Sequence, residues 1–223
     1  MKTIVVMSGG MDSATLLYYL LDKQHEIKAL SIDYGQRHLR EIASAKEICS
    51  RIGVSIEVIH IPGLFSIEGG GALVDLETDV PEGHYEDESM KATVVPNRNM
   101  VFLSIALARC ASLGYDAVAY GAHSGDHAIY PDCRPGFAAA MNVVASLCDF
   151  APYSVLCPFV DMSKAEIVLL GQRLKVPYEL TWTCYKGDKV PCGKCGACVE
   201  RAGAFGFAGI KDPVFRGEAG EWR

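Results

Sequence analysis

Residues 3–13 read Thr3-Ile4-Val5-Val6-Met7-Ser8-Gly9-Gly10-Met11-Asp12-Ser13, and Ala14-Thr15-Leu16-Leu17-Tyr18-Tyr19-Leu20-Leu21 follows at once. A β-branched apolar run of this length reads as a buried strand. The segment after it reads as a helix packed on a sheet. A glycine-rich turn therefore joins a first strand to a first helix. Free backbone N–H groups and the positive end of the helix dipole meet at such a turn and favour an anion.

The residue types narrow which anion. The loop lacks the lysine of G-x-x-x-x-G-K-[ST] and the spacing of G-x-G-x-x-G. It carries two hydroxyls, Ser8 and Ser13, two adjacent glycines and one carboxylate. Glycine lets the backbone approach a phosphate closely. Asp12 repels a bare phosphate but suits a phosphate-bound Mg²⁺. The plain alternative is an ordinary turn with Asp12 or Ser13 as a helix N-cap.

Apolar runs recur at Ile27–Ile32, Ser55–Ile61, Ala117–Tyr120 and Tyr153–Leu156. Helical patterns separate them at Arg37–Ile52, Asn99–Leu113, Gly136–Cys148 and Ser163–Leu174. Ser163-Lys164-Ala165-Glu166 has the form of a capping box. Strands alternating with helices imply an α/β fold with a doubly wound parallel sheet, which binds ligands at the carboxyl ends of its strands. Gly63–Val95 breaks the pattern, with eight acids between Glu68 and Glu88. It reads either as a mobile lid over the nucleotide or as surface disorder.

The chain has 223 residues, half of them hydrophobic, and a net charge of −6. That is enough for one domain with a large core, and the acidity argues against stable nucleic-acid binding through a basic surface. The immediate entry into a strand leaves no room for a signal peptide. No apolar run approaches the roughly 18 residues of a membrane span. A cytoplasmic protein without membrane attachment is expected.

Of nine cysteines, Cys184, Cys192, Cys195 and Cys198 fall within fifteen residues as C-x7-C-x2-C-x2-C. Gly193 and Gly196 allow the turns that wrap thiolates round one ion. Four thiolates suit a closed, structural Zn²⁺ site, one per chain, with an iron–sulfur cluster as the competitor. Lys186, Lys189, Lys194 and Arg201 stand ready to offset the charge of the site. Cys133 and Cys157 read as packing residues. The division expected is a nucleotide and substrate domain over 1–180, with a zinc-binding segment over 181–223 packed on it.

The Ser8–Ser13 stretch resembles the pyrophosphate loop, SGGxDS, of the ATP pyrophosphatase (PP-loop) superfamily, whose fold is adenine nucleotide alpha hydrolase-like. Three further segments sharpen the resemblance: Ile32-Asp33-Tyr34-Gly35-Gln36-Arg37-His38, Val95-Pro96-Asn97-Arg98-Asn99, and Gly121–Arg134. Together with the four cysteines, they resemble the 7-cyano-7-deazaguanine synthase family from about Lys2 to Ala204. Many members have glycine where Asn97 stands, and the Cys184–Cys192 linker varies in length. The resemblance implies an ATP-dependent carbon–nitrogen ligase acting on 7-carboxy-7-deazaguanine and ammonia, on the route to queuosine- and archaeosine-type bases, and a homodimer. It implies two adenylations of the same carbon's oxygen, first as carboxylate and then as amide, before the nitrile is released.

Roles follow on this reading. Met7, Ser8, Gly9, Gly10, Met11, Asp12, Ser13, Ala14, Thr15, Leu16 and Leu17 form the ATP segment. Lys164 faces the departing pyrophosphate, and Arg98 contacts phosphate or the substrate carboxylate. His123, Asp126 and His127 handle protons, since ammonium must lose one to attack. Asp132 accepts the two donors of the deazaguanine edge, Tyr130 stacks on the ring and Arg134 binds its carboxylate. Tyr34, Gln36 and His38 lie toward adenosine. The competing readings are a PP-loop enzyme adenylating a tRNA base (a thiolase or lysidine synthase) and a non-catalytic, zinc-stabilised nucleotide-binding module. The chain lacks the basic face that a tRNA enzyme would use.

Overall fold

The computed structural model describes residues 1–37, 39–64, 71–75, 77–84, 87–186 and 190–214. Five strands form one parallel sheet: β1 Lys2–Val6, β2 Glu26–Asp33, β3 Ile56–His60, β4 Ala117–Ala119 and β5 Ser154–Leu156, in the order β3-β2-β1-β4-β5. β1 is central, with Val5 opposite both Ala29 and Ala119. The chain winds outward from β1 through β2 to β3, then returns to the other side of β1 for β4 and β5. The reversal point lies between the carboxyl ends of β1 and β4, where such sheets open a crevice.

Six α-helices cover the faces: α1 Met11–Asp22, α2 Arg40–Arg51, α3 Arg98–Leu113, α4 Pro135–Leu147, α5 Lys164–Arg173 and α6 Gly196–Phe207. Successive strand residues point to opposite faces. Val5 therefore packs with Leu16, Leu17, Ile48, Ile167 and Phe205 of α1, α2, α5 and α6. Ile4 packs with Leu103, Leu107, Met141 and Val155 on the α3 and α4 side. Both β1 residues are buried, which is why a continuous apolar run appears there rather than an alternating one.

The helix after β1 starts at Met11, three residues earlier than the apolar pattern implies. Asp12 and Ser13 thus sit inside its first turn rather than capping it. Gly10 is the N-cap and supplies no side chain. The α5 start matches the sequence signal: Ser163 and Glu166 bond reciprocally as a capping box. Asn97 has φ 55°, a left-handed conformation that glycine and asparagine tolerate best. The helix α6 was not legible, because three glycines weaken its intrinsic propensity and tertiary packing of Ala204 and Phe205 decides.

The described part of the 63–95 stretch is packed, against the surface-disorder reading; the rest lies outside the described residues. Among its described residues, Ala72, Val80, Met90, Thr93 and Val95 are buried. Ala72 and Val80 pack against Trp182, Cys184 and Cys195. The Arg37 guanidinium donates to the carbonyls of Asp75 and Thr78, and Glu82 bridges to Cys195. These residues form a wall around the cysteine segment. Its described acids, Asp75, Glu77, Asp79, Glu82, Asp87 and Glu88, are exposed; Glu82, for one, pairs with Lys186.

Candidate active site

Gly9 occupies φ 90°, and a Cβ there would meet the Glu41 carbonyl oxygen at 2.0 Å. The loop is therefore pressed onto the first turn of α2, and only glycine permits it. From the other side the Trp182 N–H donates to the Gly9 carbonyl at 3.0 Å. Ser8 and Ser13 meet Oγ to Oγ at 3.0 Å, and the Gly10 N–H reaches the Ser8 hydroxyl at 3.2 Å. The first turn of α1 keeps its backbone donors uncapped, as an anion site requires.

Four side chains from three other segments converge on this turn. Lys164 Nζ, at the start of α5, lies 3.4 Å from Asp12 Oδ2 and 2.5 Å from Glu200 Oε2. His123, just beyond β4, accepts the Gly125 N–H on Nδ1. In its neutral form the proton is thereby assigned to Nε2, which faces Asp12 at 3.8 Å and Asp126 at 3.6 Å. Burial disfavours the charge on Lys164, but Asp12, Glu200 and Asp126 outweigh burial and hold its pKa above the usual lysine value. Burial raises Glu200, with Lys164 opposing. The ammonium and its carboxylates are thus a charge-coupled cluster at the mouth of the phosphate loop.

Asp12 Oδ1 is buried and has no hydrogen-bond partner among the described residues. A buried carboxylate oxygen left open fits a cation ligand, and its neighbours Ser8 and Ser13 supply further oxygens of the kind Mg²⁺ accepts.

The cleft continues from the loop toward β2 and α3. Tyr34, Glu41, Arg98, Phe102 and Tyr185 line it. Arg98 Nη1 donates to the Tyr34 hydroxyl at 3.4 Å, and the Tyr34 and Phe102 rings lie 5.3 Å apart. Gln36 turns its side-chain oxygen back onto the Tyr34 N–H. His38 lies outside the described residues. Burial, opposed by Arg98, raises Glu41 to about 7.

The three residues expected to hold the base fall outside the cleft lining. Tyr130 is buried, with its hydroxyl on Thr93 at 2.6 Å. Asp132 Oδ2 accepts the Asn99 N–H at 2.9 Å and so caps the start of α3. Arg134 is exposed and donates to the His127 carbonyl at 2.8 Å. This segment shapes the site from behind. Burial pushes the Cys133 and Cys157 thiols up, Cys157 to about 11, which keeps both protonated and inert near neutrality.

The sulfur atoms of Cys184, Cys192, Cys195 and Cys198 lie within 4.8 Å of one another. Backbone N–H groups already point at them: Cys192 to the Cys184 sulfur, and Lys194 and Cys195 to the Cys192 sulfur. Such donors stabilise thiolates, so the donor set fits a bound metal. Arg201 does not serve the cluster as expected. It is buried in a two-pronged pair with Asp212, at 2.7 and 2.8 Å, and also donates to Thr181, Thr183 and the Tyr178 carbonyl. Arg201 instead fastens the strip 178–183 that clamps Gly9.

Glu41, Glu200 and Trp182 were missed by sequence reasoning. A glutamate in the first turn of an amphipathic helix carries no signal that distinguishes a cleft residue from a solvated one.

Residues 2–209 match the family model described as "Queuosine biosynthesis protein QueC". The chain is 48% identical over 213 residues to a 7-cyano-7-deazaguanine synthase of Psychromonas ingrahamii, covering 96% of each chain. It is 47% identical to one of Methanoregula boonei, covering 96% of this chain and 98% of that one. Among solved structures, an NMN synthetase from Francisella tularensis superposes with a TM-score of 0.50 at 12% identity, over 94% of this chain and 77% of that one. A predicted tRNA methyltransferase subunit from Methanocaldococcus jannaschii does so with a TM-score of 0.50 at 15% identity, over 77% and 74%. These two likenesses concern the fold alone. A near-full-length family match, with identity of 47–48% across whole relatives, places the chain in the QueC family of queuosine biosynthesis proteins.

Proposed function

We propose that the chain converts 7-carboxy-7-deazaguanine, ammonia and ATP into 7-cyano-7-deazaguanine through two adenylations at one site. The observation that carries this reading is the convergence of Lys164, His123 and Asp126 on Asp12 at the uncapped start of α1, in a chain so similar to synthases of that name. A carboxylate oxygen is a poor leaving group. Its attack on the α-phosphorus of ATP releases pyrophosphate and forms an acyl-adenylate. Ammonia displaces AMP and gives the amide. The amide oxygen attacks the α-phosphorus of a second ATP with release of pyrophosphate and a proton, and loss of AMP and the second N–H proton leaves the nitrile. Both rounds transfer AMP to an oxygen on the same carbon, so one set of groups serves twice.

Residues 7–17 hold the phosphates on this reading. Lys164 neutralises charge on the leaving pyrophosphate, and catalysis rests on orientation and charge. Asp12 would hold a phosphate-bound Mg²⁺, which supplies charge neutralisation when bound. Asp126 takes the proton from ammonium, and the His123 Nε2–H facing it orients that carboxylate. Arg98 meets the substrate carboxylate. The cysteine quartet, its sulfurs within 4.8 Å of one another, would hold Zn²⁺. A closed quartet has no open position for water, so its role is structural.

A second copy of the chain is the proposed partner. Val143, Val144 and Leu147 of α4 and the adjacent Phe150 are exposed apolar side chains that support it. Among the described residues no helix is long and apolar enough to cross a membrane. A reduced cysteine site and ATP use favour the cytoplasm.

The test is turnover. Purified protein with ATP, Mg²⁺, ammonium and 7-carboxy-7-deazaguanine should release AMP and pyrophosphate and yield the nitrile. Absence of substrate-dependent AMP overturns the reading; AMP release with tRNA alone favours a tRNA-base adenylating enzyme. Elemental analysis should find about one zinc per chain; iron with visible absorption would replace zinc by an iron–sulfur cluster.

A further inference from the structure

The base of 7-carboxy-7-deazaguanine presents two adjacent donors on one edge, N1–H and the exocyclic amine. A single carboxylate accepts both. The residue assigned to that edge from sequence, Asp132, has an oxygen bonded to the Asn99 N–H and stands outside the cleft lining. The edge therefore needs another acceptor.

Among the described residues, three carboxylates line the cleft: Asp12, Glu41 and Asp126. Asp12 and Asp126 face the imidazole of His123, and Asp12 also meets Lys164. Both belong to the cluster at the phosphate loop. Glu41 stands apart from it. Among the described residues, no hydrogen bond or ion pair reaches its carboxylate. It shares the cleft with the flat rings of Tyr34, Phe102 and Tyr185, and with the guanidinium of Arg98. A planar base fits among rings, and a cation suits the substrate's own carboxylate at the other end.

The backbone gives Glu41 a fixed distance from the chemistry. Its carbonyl is the group against which Gly9 is pressed, so α2 cannot shift without moving the phosphate loop. A side chain rooted there can measure from the loop to the far edge of a bound base.

We infer that Glu41 is the specificity-determining residue that accepts the N1–H and amine donors of the deazaguanine base. The inference rests on the proposed substrate and names the residue that selects it. A guanine-type edge offers two donors; an adenine-type edge offers one donor beside an acceptor. The carboxylate therefore favours the former and meets the lone pair of the latter. A site built to bond a substrate N–H rejects an analogue lacking it, because its own polar group is then left buried and unpaired.

The experiment compares wild type with Glu41→Gln, on 7-carboxy-7-deazaguanine and on the analogue lacking the 2-amino group. For wild type, removal of the amine should lower kcat/KM by about a hundredfold or more. Glu41→Gln should lose a comparable factor on the parent substrate, about a hundredfold and mainly in KM. On the analogue the two proteins should differ by less than about threefold, because the interaction is already absent. The KM for ATP should be unchanged, which also reports that the variant is folded.

Equal losses of the variant on both substrates overturn the inference and assign Glu41 a structural role. A rise in the KM for ATP, with the base unaffected, overturns it by placing the carboxylate on the ribose hydroxyls. Wild-type turnover matched by Glu41→Gln overturns the inference and leaves the function standing. A wild type that forms no nitrile removes the function, and the inference with it.

Discussion

Lys164 Nζ lies 2.5 Å from Glu200 Oε2 and 3.4 Å from Asp12 Oδ2, so one ammonium ties the helix of the cysteine cluster to the phosphate loop. Glu200 sits in α6 two residues beyond Cys198. Gly125 makes room for it: a Cβ there would approach Glu200 Oε1 to 2.9 Å. The cluster that holds α6 therefore also sets where Lys164 stands.

We expect Glu200→Gln to lower kcat by about 10²-fold, the scale on which misplaced catalytic groups act. Lys164 would then lean more heavily on Asp12 and compete there with a cation. The Mg²⁺ concentration for half-maximal rate should rise with the loss of kcat. A variant that loses kcat with unchanged Mg²⁺ dependence would assign Glu200 a merely structural role.

Gly9→Ala should abolish ATP binding while leaving the metal content of the expressed protein at the wild-type level. The Cβ meets the Glu41 carbonyl at 2.0 Å and the Ala45 nitrogen at 2.9 Å, both backbone atoms. No rotamer relieves that contact, and φ 90° is strained for alanine. Calorimetric titration with ATP checks it; wild-type affinity in the variant would mean that α2 moves freely.

Metal removal should weaken the nucleotide site as well as the fold. The clamp Trp182–Gly9 lies directly before Cys184, and the Trp182 indole donates to the Cys184 carbonyl at 3.0 Å. Cys184→Ser should lose bound metal and melt roughly 10 °C lower. ATP titration of the variant at low temperature should show weaker binding; unchanged affinity would separate the two sites.

Arg201 and Asp212 are both buried, and each satisfies the other. Removing one partner leaves an uncompensated charge and costs about 3–5 kcal/mol. Arg201→Met should therefore melt roughly 10–15 °C lower. Adding Asp212→Leu should recover part of that loss, since a buried pair is often replaceable by apolar side chains. A double variant less stable than the single one would contradict this account.

His25 provides a small pH signal. Burial, then the nearby N-terminal ammonium, lowers its pKa from the ordinary 6.5, and its Nδ1 lies 2.8 Å from the Thr3 hydroxyl. The folded state therefore prefers the neutral ring. Stability from this group is present above the unfolded value and declines as pH falls through and below about 6.5. His25→Gln should flatten that acid-side decline by a few degrees at most in a melting series between pH 5 and 8, with no change at pH 8.

The sequence by itself determined the parallel α/β sheet, the glycine loop between β1 and α1, the clustering of the four cysteines and the capped start of α5. Each is a local signal: an apolar run, a glycine pair, a cysteine spacing, a reciprocal Ser163–Glu166 bond. It also named Asp12, Lys164, Arg98, His123 and Asp126 as candidate site residues; the structure places four of them in the cleft lining and His123 beside Asp12. What it could not determine depends on contacts between residues far apart in the chain. Asp132 looked like a base reader because its surroundings are polar, yet its oxygen is used by Asn99, 33 residues away. Arg201 looked like a neighbour of the thiolates, yet it turns to Asp212. The acidic 63–95 stretch looked unpacked, yet its sparse apolar residues close the cysteine segment. Glu41 and Glu200 gain meaning only when α2 and α6 are pressed against the loop, because burial and pairing are properties of the packed chain and leave no periodic trace in its order of residues.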